Sequence, residues 1–75
     1  MDHDDRVRRV GDLMAEVEDD PTRYAALSSD ERMIVALALS RIDWLRADGV
    51  DSLVQARDRI GRDWSRAVST AAWNR

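Results

Sequence analysis

The stretch from Met33 to Leu45, MIVALALSRIDWL, constrains this chain more than any other, because its first seven residues are all apolar. Wrapped at about 100° per residue, its apolar side chains cover roughly two-thirds of a helix circumference. Only Ala36, Ser40 and Asp43 fill the remaining strip. A surface helix of a globular protein carries a narrower stripe. This helix is therefore expected in the middle of the fold, with partners on at least two sides and with Leu37 and Trp44 among its core residues.

The flanking segments supply such partners. Val7, Val10, Leu13, Met14 and Val17 follow the i, i+3, i+4, i+7 pattern of an amphipathic helix over about 5–19. Asp4 or Asp5 is the expected cap, and residues 1–4, with His3 among them, are expected to fray. Gly11 falls on the apolar side and suggests a close helix crossing. Asp20 followed by Pro21 stops the first helix and starts a short helical turn near 21–27, with Tyr24 and Leu27 on its apolar side. Ser28 and Glu31 have the spacing of a capping box. They place the start of the central helix near 29, and Gly49 stops it after about 47. Asp51 or Ser52 then caps a last helix over about 51–72. Its expected stripe is Leu53, Ala56, Ile60, Trp64, Ala67, Val68 and Ala71, with Val54 and Gly61 at the edge and Arg57 inside it. Asn74 and Arg75 form a short, fraying tail. No segment shows the alternation of a strand. The expected architecture is all-α: a single small three-helix bundle (5–19, 29–47, 51–72) with an extra short turn.

Length and composition bound the chemistry. Seventy-five residues make one domain, with no cysteine to staple it and a single histidine, which leaves no zinc-ligand pattern. There is no Gly-rich phosphate loop, no nucleophilic cysteine and no H-E-x-x-H sequence. The carboxylates fall in caps or beside arginines on outer faces. An enzyme is therefore not expected, nor any cofactor or metal. No run approaches the roughly 20 apolar residues that span a bilayer, and the start MDHDD is unlike a signal peptide. A soluble, cytoplasmic protein is the expectation. All 12 basic residues are arginine, and aspartate far outnumbers glutamate. Helix propensity does not require either bias, so we attribute both to a GC-rich genome, that of a bacterium or its phage.

Twelve basic against 15 acidic residues, net charge −3, speaks against a general nucleic-acid binder but leaves room for a local basic patch. On the last helix Arg59, Arg62 and Arg66 fall in one sector opposite the apolar stripe, joined by Gln55, Ser69 and Trp73. Asp58 with Arg62 and Arg59 with Asp63 have the spacing to neutralise part of that row. Trp73 lies off the stripe, where an exposed tryptophan suits an interface. Arg41 and Arg57 interrupt apolar arcs. They belong at bundle seams with their heads in water, or in ion pairs with Asp43, Asp48 or Asp12, or at a subunit interface. The composite expectation is a small interaction or regulatory module that docks a helical face onto a protein partner or a second copy of itself. A nucleic-acid binder using the Arg59, Arg62 and Arg66 row is the alternative.

Overall fold

A computed structural model describes residues 1–73. The short tail expected at Asn74 and Arg75 lies outside the described residues. The fold is all-α, as expected. Its segments are α1 (His3–Asp19), a 3₁₀ helix (Pro21–Ala26), α2 (Ser29–Ala38), α3 (Ile42–Ala47), α4 (Leu53–Ile60) and α5 (Arg62–Trp73). Two of the three expected long helices are each broken in two.

Helix α1 begins earlier than the apolar pattern suggests. Asp2 is extended, and its carboxylate accepts the Asp5 backbone N–H at 2.9 Å. That hydrogen bond holds the Asp2 carboxyl below the usual carboxylate range. His3 is thus the first helical residue, and the helix is not frayed up to Asp4. Val10, Leu13, Met14 and Val17 are its buried face. Gly11 marks no close crossing, because a Cβ built there would meet nothing within 4 Å. At the far end the Asp20 carboxylate accepts from the Thr22 hydroxyl at 2.7 Å and its N–H at 3.1 Å, with Pro21 starting the 3₁₀ helix.

The capping box forms as read. Glu31 N donates to Ser28 Oγ at 3.2 Å, and Ser28 N donates to Glu31 Oε1 at 3.1 Å. Arg9 donates to the same Glu31 carboxylate and ties α1 to the start of α2. Helix α2 then ends at Ala38 instead of running on to 47. Ser40 takes a left-handed φ of 56°, Arg41 N donates to Ala36 O at 2.8 Å, and Ser40 N donates to Leu37 O at 3.1 Å. This is a Schellman motif with serine where glycine is usual. The same motif closes α3. There Gly49 has φ 82°, Val50 N donates to Leu45 O at 2.8 Å, and Gly49 N donates to Arg46 O at 3.0 Å. Leu45 and Val50, both fully buried, make the apolar contact that accompanies it.

Ser52 caps α4, its hydroxyl accepting Gln55 N at 3.1 Å. Gly61, at φ 87° and ψ 169°, separates α4 from α5. Only glycine occupies that backbone region readily, so the expected helix over 51–72 is interrupted there. Ser65 N donates back to Gly61 O at 3.0 Å, and the Ser65 hydroxyl reaches across the bend to Arg57 O at 3.2 Å.

Helix α2 is central, packed by α1, α4 and α5, with α3 continuing from it and touching α4. This packing explains why Ala36, placed by the wheel in the polar strip, is completely buried. Leu37 and Trp44 are only half-buried at its edges. The 3₁₀ helix packs on α1 and reaches α3 through Tyr24, whose ring lies 4.5 Å from that of Trp44. The Tyr24 hydroxyl donates to Asp48 Oδ2 at 3.2 Å. Arg32 Nε lies 3.2 Å from the same oxygen, at an angle too poor for a hydrogen bond. Most of the wide apolar arc is therefore covered from within the chain, with Leu37 left at its open edge.

Candidate docking face on helices α4 and α5

The bend at Gly61 decides which side chains share a face. A single helical wheel cannot be carried across a residue at φ 87°. Within α5, Arg62, Arg66, Ser69 and Trp73 are spaced i, i+4, i+7 and i+11, so they keep one sector. Arg62 and Arg66 line an open cleft of about 700 Å³ whose wall across the bend is Arg57 with Asp58 and Val54. Arg59 does not line this cleft, and the expected row of three is corrected accordingly: Arg57 takes the place of Arg59.

Arg57, which interrupts the expected stripe, is exposed and pairs with none of Asp43, Asp48 or Asp12. The reason is the same bend, since α4 buries only Ala56 and Ile60 while α5 buries Ala67, Val68 and Ala71. Leu53 and Val54 leave the stripe, at 42% and 66% exposure. Together with Leu37, Val68 and Ala72 they line a second depression of about 420 Å³. Val54, Arg57, Ser65 and Ser69 border both depressions, so the basic cleft runs into the apolar one. Trp73, 89% exposed, ends α5 and lines neither depression.

The charges of the cleft are unspent. Among the described residues no carboxylate lies within ion-pair distance of Arg57, Arg62 or Arg66. The neutralising pairs expected from i, i+4 spacing straddle Gly61 and do not form. Asp63 instead faces Arg6 at 3.7 Å. The hydroxyls donate to backbone carbonyls: Ser65 to Arg57 O at 3.2 Å, Ser69 to Ser65 O at 3.1 Å, and Thr70 to Arg66 O at 3.0 Å. The guanidinium groups are therefore the free donors. His3 borders the cleft from the start of α1, with Nε2 3.3 Å from Thr70 Oγ1; it is solvent-exposed, as expected, but helical instead of frayed.

Arg41 belongs to a different place. Its guanidinium forms a bidentate pair with Asp43 (3.0 and 2.7 Å) and lies 4.4 Å over the Trp44 ring. That pairing raises the Arg41 pKa and holds the Asp43 carboxyl below its usual range. Of the alternatives open for Arg41, the ion pair with Asp43 forms, but within its own segment. It is exposed and lines neither depression of the α4–α5 face. Tyr24, pushed up to about 12 by burial and by the Asp48 charge, also belongs to this structural cluster and not to the α4–α5 face.

Family models, curated proteins and solved structures give no match to this chain. The reading of the α4–α5 face rests on its own residues. Among the described residues no three His, Cys, Asp or Glu side chains converge to hold a metal ion, and no helix is long and apolar enough to cross a membrane.

Proposed function

We propose that this protein is a non-enzymatic interaction module that docks the α4–α5 face onto a protein partner. One observation carries the reading. Leu53 and Val54 are exposed on the lining of an apolar depression and Trp73 is exposed at the end of α5, while every other large apolar side chain of helices α1 to α5 is buried or half-buried. Apolar surface left in water forgoes about 25 cal/mol per Å² of burial, and contiguous exposed patches on small proteins mark interaction sites. The arginine and aspartate bias supports a GC-rich bacterium or its phage as the source, and we place the protein in the cytoplasm.

A photo-crosslinking residue at position 72 tests this reading in an extract of the source organism or its host. Discrete adducts should form there, and a variant carrying Leu53→Ser, Val54→Ser and Trp73→Ser should lose them while keeping its cooperative melt. Adducts unchanged by the triple substitution, or equally abundant from a crosslinker at position 12 on α1, would count against the face. Sedimentation at micromolar concentration separates a second copy of the chain from a different partner.

The exposed Arg57, Arg62 and Arg66 favour one second reading, a nucleic-acid binder. Its affinity for labelled DNA would fall steeply with salt, and no binding near 50 mM salt would reject it.

A further inference from the structure

We infer that the occupant of this face is an acidic amphipathic helix of a partner protein, seated with its apolar residues on Leu53, Val54 and Val68 and its carboxylates against Arg57, Arg62 and Arg66. This inference rests on the docking reading above and gives the partner its chemistry.

Three features select that chemistry. First, the depression floored by Leu37, Val68 and Ala72 is aliphatic and runs into the arginine cleft, with Val54 and Arg57 common to both. An occupant must therefore present an apolar row and an anionic row side by side. Second, the three guanidiniums have no carboxylate partner among the described residues, and only Asp58 opposes them in the cleft. Guanidinium is suited to bidentate capture of carboxylate. Third, the described residues form no strand, so there is no sheet edge to extend, and the helix-in-groove mode is the one such a surface offers.

The same features disfavour the other occupants. A polyphosphate strand would meet an aliphatic floor, Asp58 in the cleft, and a protein of net charge −3. Among the described residues, a second copy has no acidic amphipathic helix with its apolar row free. The apolar row of its acidic α1, Val10, Leu13, Met14 and Val17, is buried in its own core.

Anisotropy of fluorescein-labelled peptides of about 16 residues tests the assignment on the whole protein. The probe carries leucines spaced i, i+3, i+4 and i+7 with glutamates flanking them. Two controls replace all the glutamates by lysine or all the leucines by serine. The acidic probe should bind, and its affinity should fall as salt rises. The lysine and serine probes should each bind at least about tenfold more weakly. Arg57→Glu with Arg66→Glu should weaken the acidic probe by at least about tenfold and restore binding of the lysine probe. Arg8→Glu with Arg46→Glu, a reversal of the same size elsewhere, should leave binding unchanged. Equal binding of acidic and lysine probes, or indifference to the Arg57 and Arg66 reversal, would overturn the assignment. If crosslinking at position 72 captures a partner through Leu53 and Val54 while the acidic probe does not bind, this inference fails and the docking reading stands. Loss of the Leu53 and Val54 dependence removes both.

Discussion

At the scale of single residues, backbone conformation decides more than side-chain type. Ser40 holds a left-handed φ of 56° in a position that favours glycine. An L-residue in that conformation costs about 1–2 kcal/mol, so Ser40→Gly should raise unfolding stability by about 0.5–1 kcal/mol, read by urea denaturation. Gly61→Ala should do the reverse. A Cβ there has open space, but φ 87° is strained for any side chain, and a loss of about 1–2 kcal/mol is expected. Gly11 has neither a positive φ nor a close neighbour, so Gly11→Ala should stabilise by about 1 kcal/mol through helix propensity. The Tyr24 hydroxyl gives a pH signature. Its folded pKa is raised to about 12, chiefly by burial and then by the Asp48 charge. The phenol is neutral below its unfolded pKa of about 10, so its contribution is complete there and is lost as pH rises through the folded value. Stability should fall between about pH 10 and 12, and Tyr24→Phe should flatten that part of the curve.

At the scale of elements, the all-α class and most starts and stops were legible, and the two breaks were not. Asp20–Pro21, the Ser28/Glu31 box, Gly49 and Ser52 carry their signals in residue type, and each sits where its type implies. Ser40 carries none, since serine is ordinary inside or outside a helix and the apolar periodicity runs past it to Ile42, Trp44 and Leu45. Gly61 was visible, but its small size also suited a closely packed seam, and only the fold shows its positive φ. Reading 51–72 as one helix joined two wheels that Gly61 separates, which put Leu53 in the buried stripe and Arg59 in line with Arg62 and Arg66. Ala36 fell in the polar strip for another reason: α2 is packed on several sides, so even its small-residue strip is covered. Arg62, Arg66 and Trp73 keep their shared sector because all three lie on one uninterrupted helix. Core energetics follow the corrected burial. Leu13→Ala or Leu45→Ala, at fully buried positions, should cost about 2–5 kcal/mol by thermal or chemical melts, and half-buried Leu37→Ala should cost less.

At the scale of the whole molecule, most of the wide apolar arc of 33–45 proves to be core, while half-buried Leu37 reaches the apolar depression beside α4 and α5. Helices α1, α4 and α5 pack around α2, and the 3₁₀ helix covers α3 through the Tyr24–Trp44 contact. The surface left open is the outer side of the α4–α5 bend, where unpaired arginines adjoin exposed aliphatic residues. A backbone ¹H–¹⁵N spectrum titrated with the acidic leucine-bearing peptide tests that claim most directly. The account predicts shift changes concentrated at Leu53, Val54, Arg57, Arg66, Ser69 and Trp73. Changes concentrated on α1 and the 3₁₀ helix, or spread evenly over the protein, would contradict it.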